Sequence, residues 1–386
     1  MGINDLTKFI KERVMDAYET HPLRNLSFTK MGVDTPILMN KFKHMNEAKL
    51  HEPHFNRYGW IWSFVYWISC LRKLDIHPIF IFEGKAPKEK EGTREARRKQ
   101  RDQVKARTVK LEESLNSYLD TGVMDDLMVK EVAKLLKASQ QDISSFEPHP
   151  LEYERDQVVD LMDTHIQKRQ RYNMTITKKD YEILKLMFRI IGVPYVKAPG
   201  EAETLCAYLK NNGSIGSIYS SDTDVLVYGC NNVITDIDTK KLTYTTINVQ
   251  RILECIGFDM DKFMDFCIMC GTDYNKNMAG IGPKRAFGLV QTYGSIEEVL
   301  KHKDKLDGSV LNHIAVRNIF KSYGSLGPWD EPLGWCQPTA IDGLIVLMNK
   351  LNINVDVEWL HTSLCTSSVE WDKDVRVGEE EAEWTF

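Results

Sequence analysis

Acidic residues at turn-like positions are the chemical signature of this sequence. Asp34, Glu83, Glu201 with Glu203, and Asp222 with Asp224 each follow an expected strand or open an expected helix. Asp273 follows an apolar helical stretch, in Cys270-Gly-Thr-Asp-Tyr274. In parallel α/β sheets, ligand sites form outside the carboxyl ends of the strands. Asp222-Thr-Asp224 and Glu201-Ala-Glu203 would then face one crevice. Converging carboxylates repel one another at neutral pH, so such a cluster is tolerable only when protonated or neutralised by cations. Hard divalent cations prefer oxygen ligands, and Mg²⁺ takes few carboxylates while keeping several waters. Seven acids suit two such ions about 4 Å apart, the arrangement that clamps both oxygens of a phosphodiester displacement. Singly, each acid is a weak signal. An Asp after a strand is more often a cap or turn residue, and Glu201 and Glu203 also suit a helix N-terminus through its dipole.

Two further constellations point the same way. Gly280-Ile-Gly-Pro-Lys-Arg285 has two glycines for a tight turn and a proline suited to a first helical turn. Backbone N–H groups at such a helix start bind phosphate without reading bases, and Lys284 and Arg285 add charge. A helix-turn-helix-type hairpin without ligand is the plainer reading, but it leaves the position of the motif, seven residues after Asp273, unexplained. After Glu83 comes a basic run in which Lys90, Arg94, Arg97 and Arg101 recur at three- and four-residue spacing, which puts them on one helix face. A basic helix starting beside an acidic metal site reads as a phosphate-steering element.

Charge is unevenly distributed along the 386 residues. The formal net charge is −5, which argues against a plain polybasic nucleic-acid binder. Residues 370–386 hold seven acids and two bases, so this tail carries the whole excess and the rest sums to zero. Between Glu83 and Lys110, eleven bases face five acids. Two divalent ions among the seven acids would bring the body to about +4. A 42% hydrophobic fraction excludes wholesale disorder. Eight cysteines in a chain this long make no disulfide framework, and Cys267 and Cys270 suit buried helix positions better than zinc. The longest apolar stretch, Trp60 to Cys70, is too short to span a bilayer. No signal peptide is expected, and Leu6 stands where a myristoylation signal wants Ser or Thr.

The elements that must position these groups alternate in type. Helices are expected over residues 3–17, from Asp34-Thr-Pro onward, and from Tyr58 to Leu74, with a buried strand at Pro78–Phe82. Residues 87–190 read as a helical insertion with a break at Ser144–Pro150. Then follow a helix at Tyr181–Ile191 stopped by Gly192, an extended Val193–Lys197, a helix at Glu201–Lys210 and a strand at Ile215–Tyr219. Strands at Asn232–Asp238 and Lys241–Thr246 precede a helical stretch from Asn248 to Leu300. This alternation predicts an α/β sheet flanked by helices.

With these motifs in place, the sequence resembles the flap endonuclease/XPG family of structure-specific 5′ nucleases. Met1-Gly-Ile-Asn-Asp-Leu-Thr-Lys-Phe-Ile10 is similar to the family's N-terminus. Pro199-Gly-Glu-Ala-Glu203, Ser221-Asp-Thr-Asp224 and Gly271-Thr-Asp-Tyr274, followed by Gly280-Ile-Gly-Pro-Lys-Arg-Ala286, match its internal motifs in order. The resemblance covers residues 1–105 and 180–305. It implies a PIN-like (resolvase-type) α/β fold with a mixed, mostly parallel central sheet, helices on both faces, a helical arch and a helix–two-turn–helix (helix-hairpin-helix) module. It further implies two Mg²⁺ ions, with Mn²⁺ as a substitute, held by Asp34, Glu83, Glu201, Glu203, Asp222, Asp224 and Asp273. Lys90 and Arg97 would be catalytic together with Asp222. A K⁺ ion would sit near Gly280 and Gly282, Gly2 would lie close to the active site, and Gly2, Arg94, Arg101, Gly280, Gly282, Lys284 and Arg285 would meet DNA.

There are departures from the family pattern. Glu83 replaces the usual Asp, Asn40 replaces a base-stacking Tyr, the Lys90–Glu201 insertion is enlarged, and the tail has no sliding-clamp box with a suitably placed Gln. The expected organisation is a nuclease region at 1–89, the arch at 90–190, a second nuclease region at 191–305 with the hairpin at about 265–292, and an extension at 306–386. The expected protein is an intracellular monomer without membrane contact, nuclear by family analogy or at a cytoplasmic replication site if viral. Its expected substrate is flap, nicked or branched DNA in replication and repair. A 5′→3′ exonuclease, a junction resolvase or an RNA-degrading relative is the alternative within the class. Outside it stand a haloacid-dehalogenase-like phosphatase, suggested by Asp222-Thr-Asp224-Val, and a non-catalytic DNA-binding scaffold.

Overall fold

The computed structural model describes residues 2–139, 154–172, 175–322, 329 and 332–364. The acidic tail, Cys365 and the break expected at Ser144–Pro150 lie outside the described residues. The chain divides into two compact units. The first comprises Met1–Met39, Trp62–Lys90 and Lys179–Phe386, and the second Asn40–Ile61 and Glu91–Lys178. As a unit, the helical insertion therefore ends at 178 rather than 190 and takes in residues 40–61.

The helices and strands alternate in chain order. They begin with α1 (Leu6–Arg13), β1 (Tyr18–Pro22), β2 (Lys30–Asp34), α2 (Thr35–Glu47), α3 (Gly59–Arg72) and β3 (His77–Phe82). The insertion supplies α4 (Glu91–Thr121), α5 (Asp126–Ser139) and α6 (Arg155–Tyr172). Next come α7 (Lys178–Ile191), β4 (Tyr195–Lys197), α8 (Ala202–Asn211), β5 (Ser217–Tyr219), α9 (Asp224–Val227), β6 (Val233–Asp238) and β7 (Thr243–Ile247). The rest is helical: α10 (Val249–Ile256), α11 (Met260–Cys270), α12 (Pro283–Tyr293), α13 (Ile296–His302), α14 (His313–Lys321), α15 (Ile341–Lys350) and α16 (Val357–Leu364).

The first unit is built on one seven-stranded sheet of order β1-β7-β6-β5-β2-β3-β4. From β6 to β4 every pairing is parallel, and β7 and β1 add an antiparallel edge. All six residues of β3 are buried, as a strand covered on both faces requires. Phe80 stacks on Phe188 of α7 with ring centroids 4.0 Å apart, which locks that helix to the sheet. Gly192 ends α7 in a left-handed conformation (φ 75°), where a β-carbon would meet the Gln337 carbonyl at 2.4 Å. Asn248 and Asp259 cap α10 and α11 by accepting from Arg251 and Lys262 N–H groups. Cys267 and Cys270 are buried on α11 with free thiols.

Two strands escape the sequence pattern. The helix expected over 3–17 ends at Arg13, and Tyr18–Pro22 is instead an edge strand paired with β7. β2, between β5 and β3, contains Gly32, which weakens a strand pattern; a β-carbon there would lie 2.6 Å from Ile215 Cδ1. The glycine is a packing requirement rather than a turn signal.

The second unit has its own core. Leu111, Leu115 and Tyr118 of α4 pack with Met128 and Val132 of α5 and with Val158, Met162 and Ile166 of α6. No buried residue occurs in α4 before Thr108, so its first four turns are solvated along their length. Lys90 does not share a helix face with Arg94, Arg97 and Arg101. It ends a separate 3₁₀ turn, Lys88–Lys90, and α4 starts only at Glu91. Arg94 and Arg101 are exposed, and Arg97 is half-buried. Among the described residues no helix is long and apolar enough to cross a membrane.

Candidate active site

The carboxyl ends of the parallel strands bring the acids together. Asp34 is the last residue of β2, Glu83 follows β3, Glu201 and Glu203 open α8 after β4, and Asp222 and Asp224 follow β5. Asp273 sits in a turn after α11, closed by Thr272 Oγ1 donating to Asn275 Oδ1. Asp34, Glu201, Glu203, Asp224 and Asp273 are all at most 4% exposed. Asp222 is half-buried, and Glu83 stands exposed at the rim.

Lys90 lies among these acids. Its Nζ donates to Glu201 Oε2 at 2.5 Å and stands 3.7 Å from Asp273 Oδ2. Burial disfavours the ammonium, but Glu203, Glu201 and Asp273 outweigh it and raise the Lys90 pKa well above the usual lysine value. A backbone tie delivers Lys90 to this place. Gly84 N–H donates to the Gly200 carbonyl at 2.6 Å and Lys85 N–H to the Pro199 carbonyl at 3.2 Å. A β-carbon on Gly84 would meet the Ala198 carbonyl at 2.1 Å, so glycine is what lets the two loops touch.

The remaining acids are charge-frustrated. Burial, then the neighbouring Asp222 and Glu83 carboxylates, push Asp34 up to about 7. Burial, then Asp34, Glu201 and Asp222, raises Glu203 well above the carboxylate range. Burial, then Asp222 and Asp273, does the same to Asp224. Asp222 is also raised, by burial and by Asp273, against the opposing pull of the Asp224 N–H bonded to its Oδ1 at 3.1 Å. Such a set is neutralised either by protons or by cations.

Residues outside the expected set hold these acids in place. Ser220 Oγ donates to Asp34 Oδ2 at 2.9 Å and accepts the Asp222 N–H at 3.1 Å, so one hydroxyl ties the β2 acid to the β5 acid. Thr223 Oγ1 accepts the Ile3 N–H at 2.8 Å. The Ser-Ser-Asp-Thr-Asp run signals a turn in sequence, but not which hydroxyl meets which carboxylate. Gly2 lies against this loop, with φ 81°.

The donor set fits a divalent cation. Asp224 Oδ1 is fully buried without a hydrogen-bond partner, and it is an oxygen donor amid carboxylates that burial keeps from comfortable ionisation. Among the described residues no three Asp, Glu, His or Cys side chains are grouped closely enough to hold one metal ion between them.

The hairpin after Asp273 also forms. Gly280 has φ 70°, Gly282 is the N-cap of α12, and Pro283 opens that helix. Arg285 Nη1 donates back to the Gly280 carbonyl at 3.4 Å. Lys284 Nζ is paired with Glu12 Oε2 of α1 at 2.9 Å, an exposed pair that a phosphate could displace at little cost.

Acids at the carboxyl ends of a mostly parallel sheet, followed by such a hairpin, define a metal-dependent nuclease of PIN-like fold. Residues 1–104 match the XPG N-terminal domain and residues 192–273 the XPG I-region. The chain is 39% identical over 394 residues to the probable RAD2-like endonuclease 369L of Invertebrate iridescent virus 6, spanning 96% of this chain and 94% of that relative. It is 35% identical over 367 residues to the probable RAD2-like endonuclease 076L of Invertebrate iridescent virus 3, spanning 90% and 92%. The flap endonuclease-1 structure from Methanococcus jannaschii shares the fold at a TM-score of 0.55 and 22% identity, covering 90% of this chain and 94% of that one. The chain belongs to the flap endonuclease/XPG family of structure-specific 5′ nucleases, enzymes that depend on divalent metal.

Proposed function

We propose that the chain hydrolyses phosphodiesters of flap, nicked or branched DNA with two Mg²⁺ ions bound by Asp34, Glu83, Glu201, Glu203, Asp222, Asp224 and Asp273. The reading rests on one observation above the others: five buried acids and the half-buried Asp222 gather at the carboxyl ends of the strands and the turn after α11, with Lys90 between Glu201 and Asp273. Bound there, the metals would supply an activated water and stabilise the developing phosphate charge. Asp222 and Asp224 hold ligand oxygens toward the crevice, while Ser220 fixes the spacing of Asp222 from Asp34. Lys90 keeps its proton at Nζ through the neutral range and offers it to a non-bridging phosphate oxygen. Arg97 is carried over from the family resemblance alone as a further cation for the phosphate. Glu83, exposed at the rim, would help hold an ion there.

The Gly280–Arg285 hairpin grips the duplex backbone without reading its sequence, Lys284 exchanging Glu12 for phosphate, and Gly280 and Gly282 would hold a K⁺ ion there. Arg94 and Arg101 contact the displaced strand. A panel of flap, nicked, four-way-junction and RNA substrates, each with Mg²⁺ and with EDTA, tests the reading. Cleavage of a 5′ flap that needs Mg²⁺ and disappears in D222A, with DNA binding largely kept, supports it. A near wild-type rate in D222A refutes the site.

A further inference from the structure

The first residues of the chain touch two parts of the active site, which also meet through packing of α9 against α11. Asp222 and Asp224 lie on the loop after β5, and Asp273 lies on the turn after α11. Between them runs Gly2–Asn4. On one side, Ile3 N–H donates to Thr223 Oγ1 at 2.8 Å in a buried bond. On the other, Asn4 N–H donates to the Gly271 carbonyl at 3.0 Å, two residues before Asp273. Contact is close at both ends. A β-carbon on Gly2 would lie 2.7 Å from Thr223 Oγ1 and 3.0 Å from Asp224 N, and one on Gly271 would lie 2.7 Å from Asn4 Nδ2.

We infer that Thr223 is a positioning residue whose hydroxyl latches Ile3 and makes Gly2–Asn4 a strut setting the separation of the Asp222/Asp224 loop from the Asp273 turn. This rests on the nuclease reading of the site. The physical argument is one of distance. Two ions held about 4 Å apart tolerate little error in the spacing of their ligand loops. The β5 loop is tied to β2 by Ser220, but Ser220 does not reach α11. Thr223 accepts the Ile3 N–H of the strut and stands between Asp222 and Asp224 in the chain, so it acts through those acids rather than on substrate. Two main-chain donors tie the strut to the two loops, and the buried one, from Ile3, depends on a single side-chain oxygen.

The test compares T223V, which keeps the shape and loses the acceptor, with T223S, which keeps the acceptor. Full-length proteins are assayed for single-turnover cleavage of a 5′-flap duplex, for binding of that duplex, and for Mn²⁺ binding by electron paramagnetic resonance. T223V is expected to cleave about 100-fold more slowly, with duplex Kd within about threefold of wild type, as for a small misplacement of reacting groups. Mn²⁺ affinity should fall about tenfold, as for loss of a group that orients ligands. T223S should recover both. T223A, which loses the same hydroxyl without a second methyl to fit, carries the measurement if T223V does not fold. Wild-type rate and Mn²⁺ affinity in T223V, or equal loss in T223S, would overturn the latch. Failure of the wild-type protein to cleave with Mg²⁺ would instead count against the nuclease reading, while the Mn²⁺ titration would still report on the latch.

Discussion

Gly2 and Asp222 touch so closely that a β-carbon on Gly2 would stand 2.1 Å from Asp222 Oδ1. The N-terminal segment is therefore a wall of the acidic crevice, and the left-handed backbone of Gly2 (φ 81°) is what allows the approach. G2A must strain its own backbone and displace the carboxylate. The expected outcome is a fall in kcat of about 100-fold with flap-duplex binding little changed. Single-turnover rates and binding isotherms on one preparation separate the two.

Lys90 has two tasks that one substitution pulls apart. In K90M the phosphate loses a cationic donor, and cleavage should drop by about 10²–10³-fold. The same change removes an ammonium that competes with metal for Glu201 and Asp273. Mn²⁺ should therefore bind more tightly to K90M than to wild type. Weaker Mn²⁺ binding would mean that Lys90 holds the ligands in shape rather than opposing the ion.

Asp34 gives the metal-free protein a distinctive dependence on pH. Its carboxyl is raised from 3.8 to about 7, chiefly by burial. A raised acid favours its protonated form in the folded chain. Its stabilising contribution is thus complete below about pH 4 and is lost as pH rises through 7. D34N lacks this titration. In EDTA the two proteins should be about equally stable near pH 4, and D34N should be the more stable at pH 7.5, by on the order of 4 kcal/mol. Denaturant melts across that range read the gap directly. Mg²⁺ should narrow it at pH 7.5 by stabilising the wild type.

Arg317 is a purely structural target. Its guanidinium makes bonds of 2.6 Å to both oxygens of the buried Asp265 on α11 and pairs with Glu297 on α13. Asp265 also accepts the Ile296 N–H at 3.0 Å. Truncation leaves a buried carboxylate without its cation. R317A should lose about 3 kcal/mol of stability by chemical denaturation. The helix so loosened leads directly into the turn of Asp273, and metal affinity should weaken with it.

The one-dimensional pattern carried the acids, the hairpin and most of the helices, because each has a local cause. The fully apolar Pro78–Phe82 run could only be a buried strand, and Gly192, Gly257 and Gly280 stand where the backbone turns left-handed. Order and spacing of short motifs likewise pointed to the family before any contact was known. Lys90 was misplaced on the α4 face because three- and four-residue spacing also occurs in a 3₁₀ turn leading into a helix. β2 was hidden by Gly32, whose role is to let Ile215 pack against the strand.

Chain order places Ser220, Thr223, Gly84 and Gly2 far from most of what they touch, and no local rule pairs residue 3 with residue 223 or 84 with 200. Those pairings exist only because parallel strands from distant parts of the chain end side by side. The residue types pointed to carboxylates that need a cation or a proton. The tertiary structure decided which carboxylates are buried, where Lys90 stands among them, and what holds them at working distance, since burial and separation are properties of packed loops.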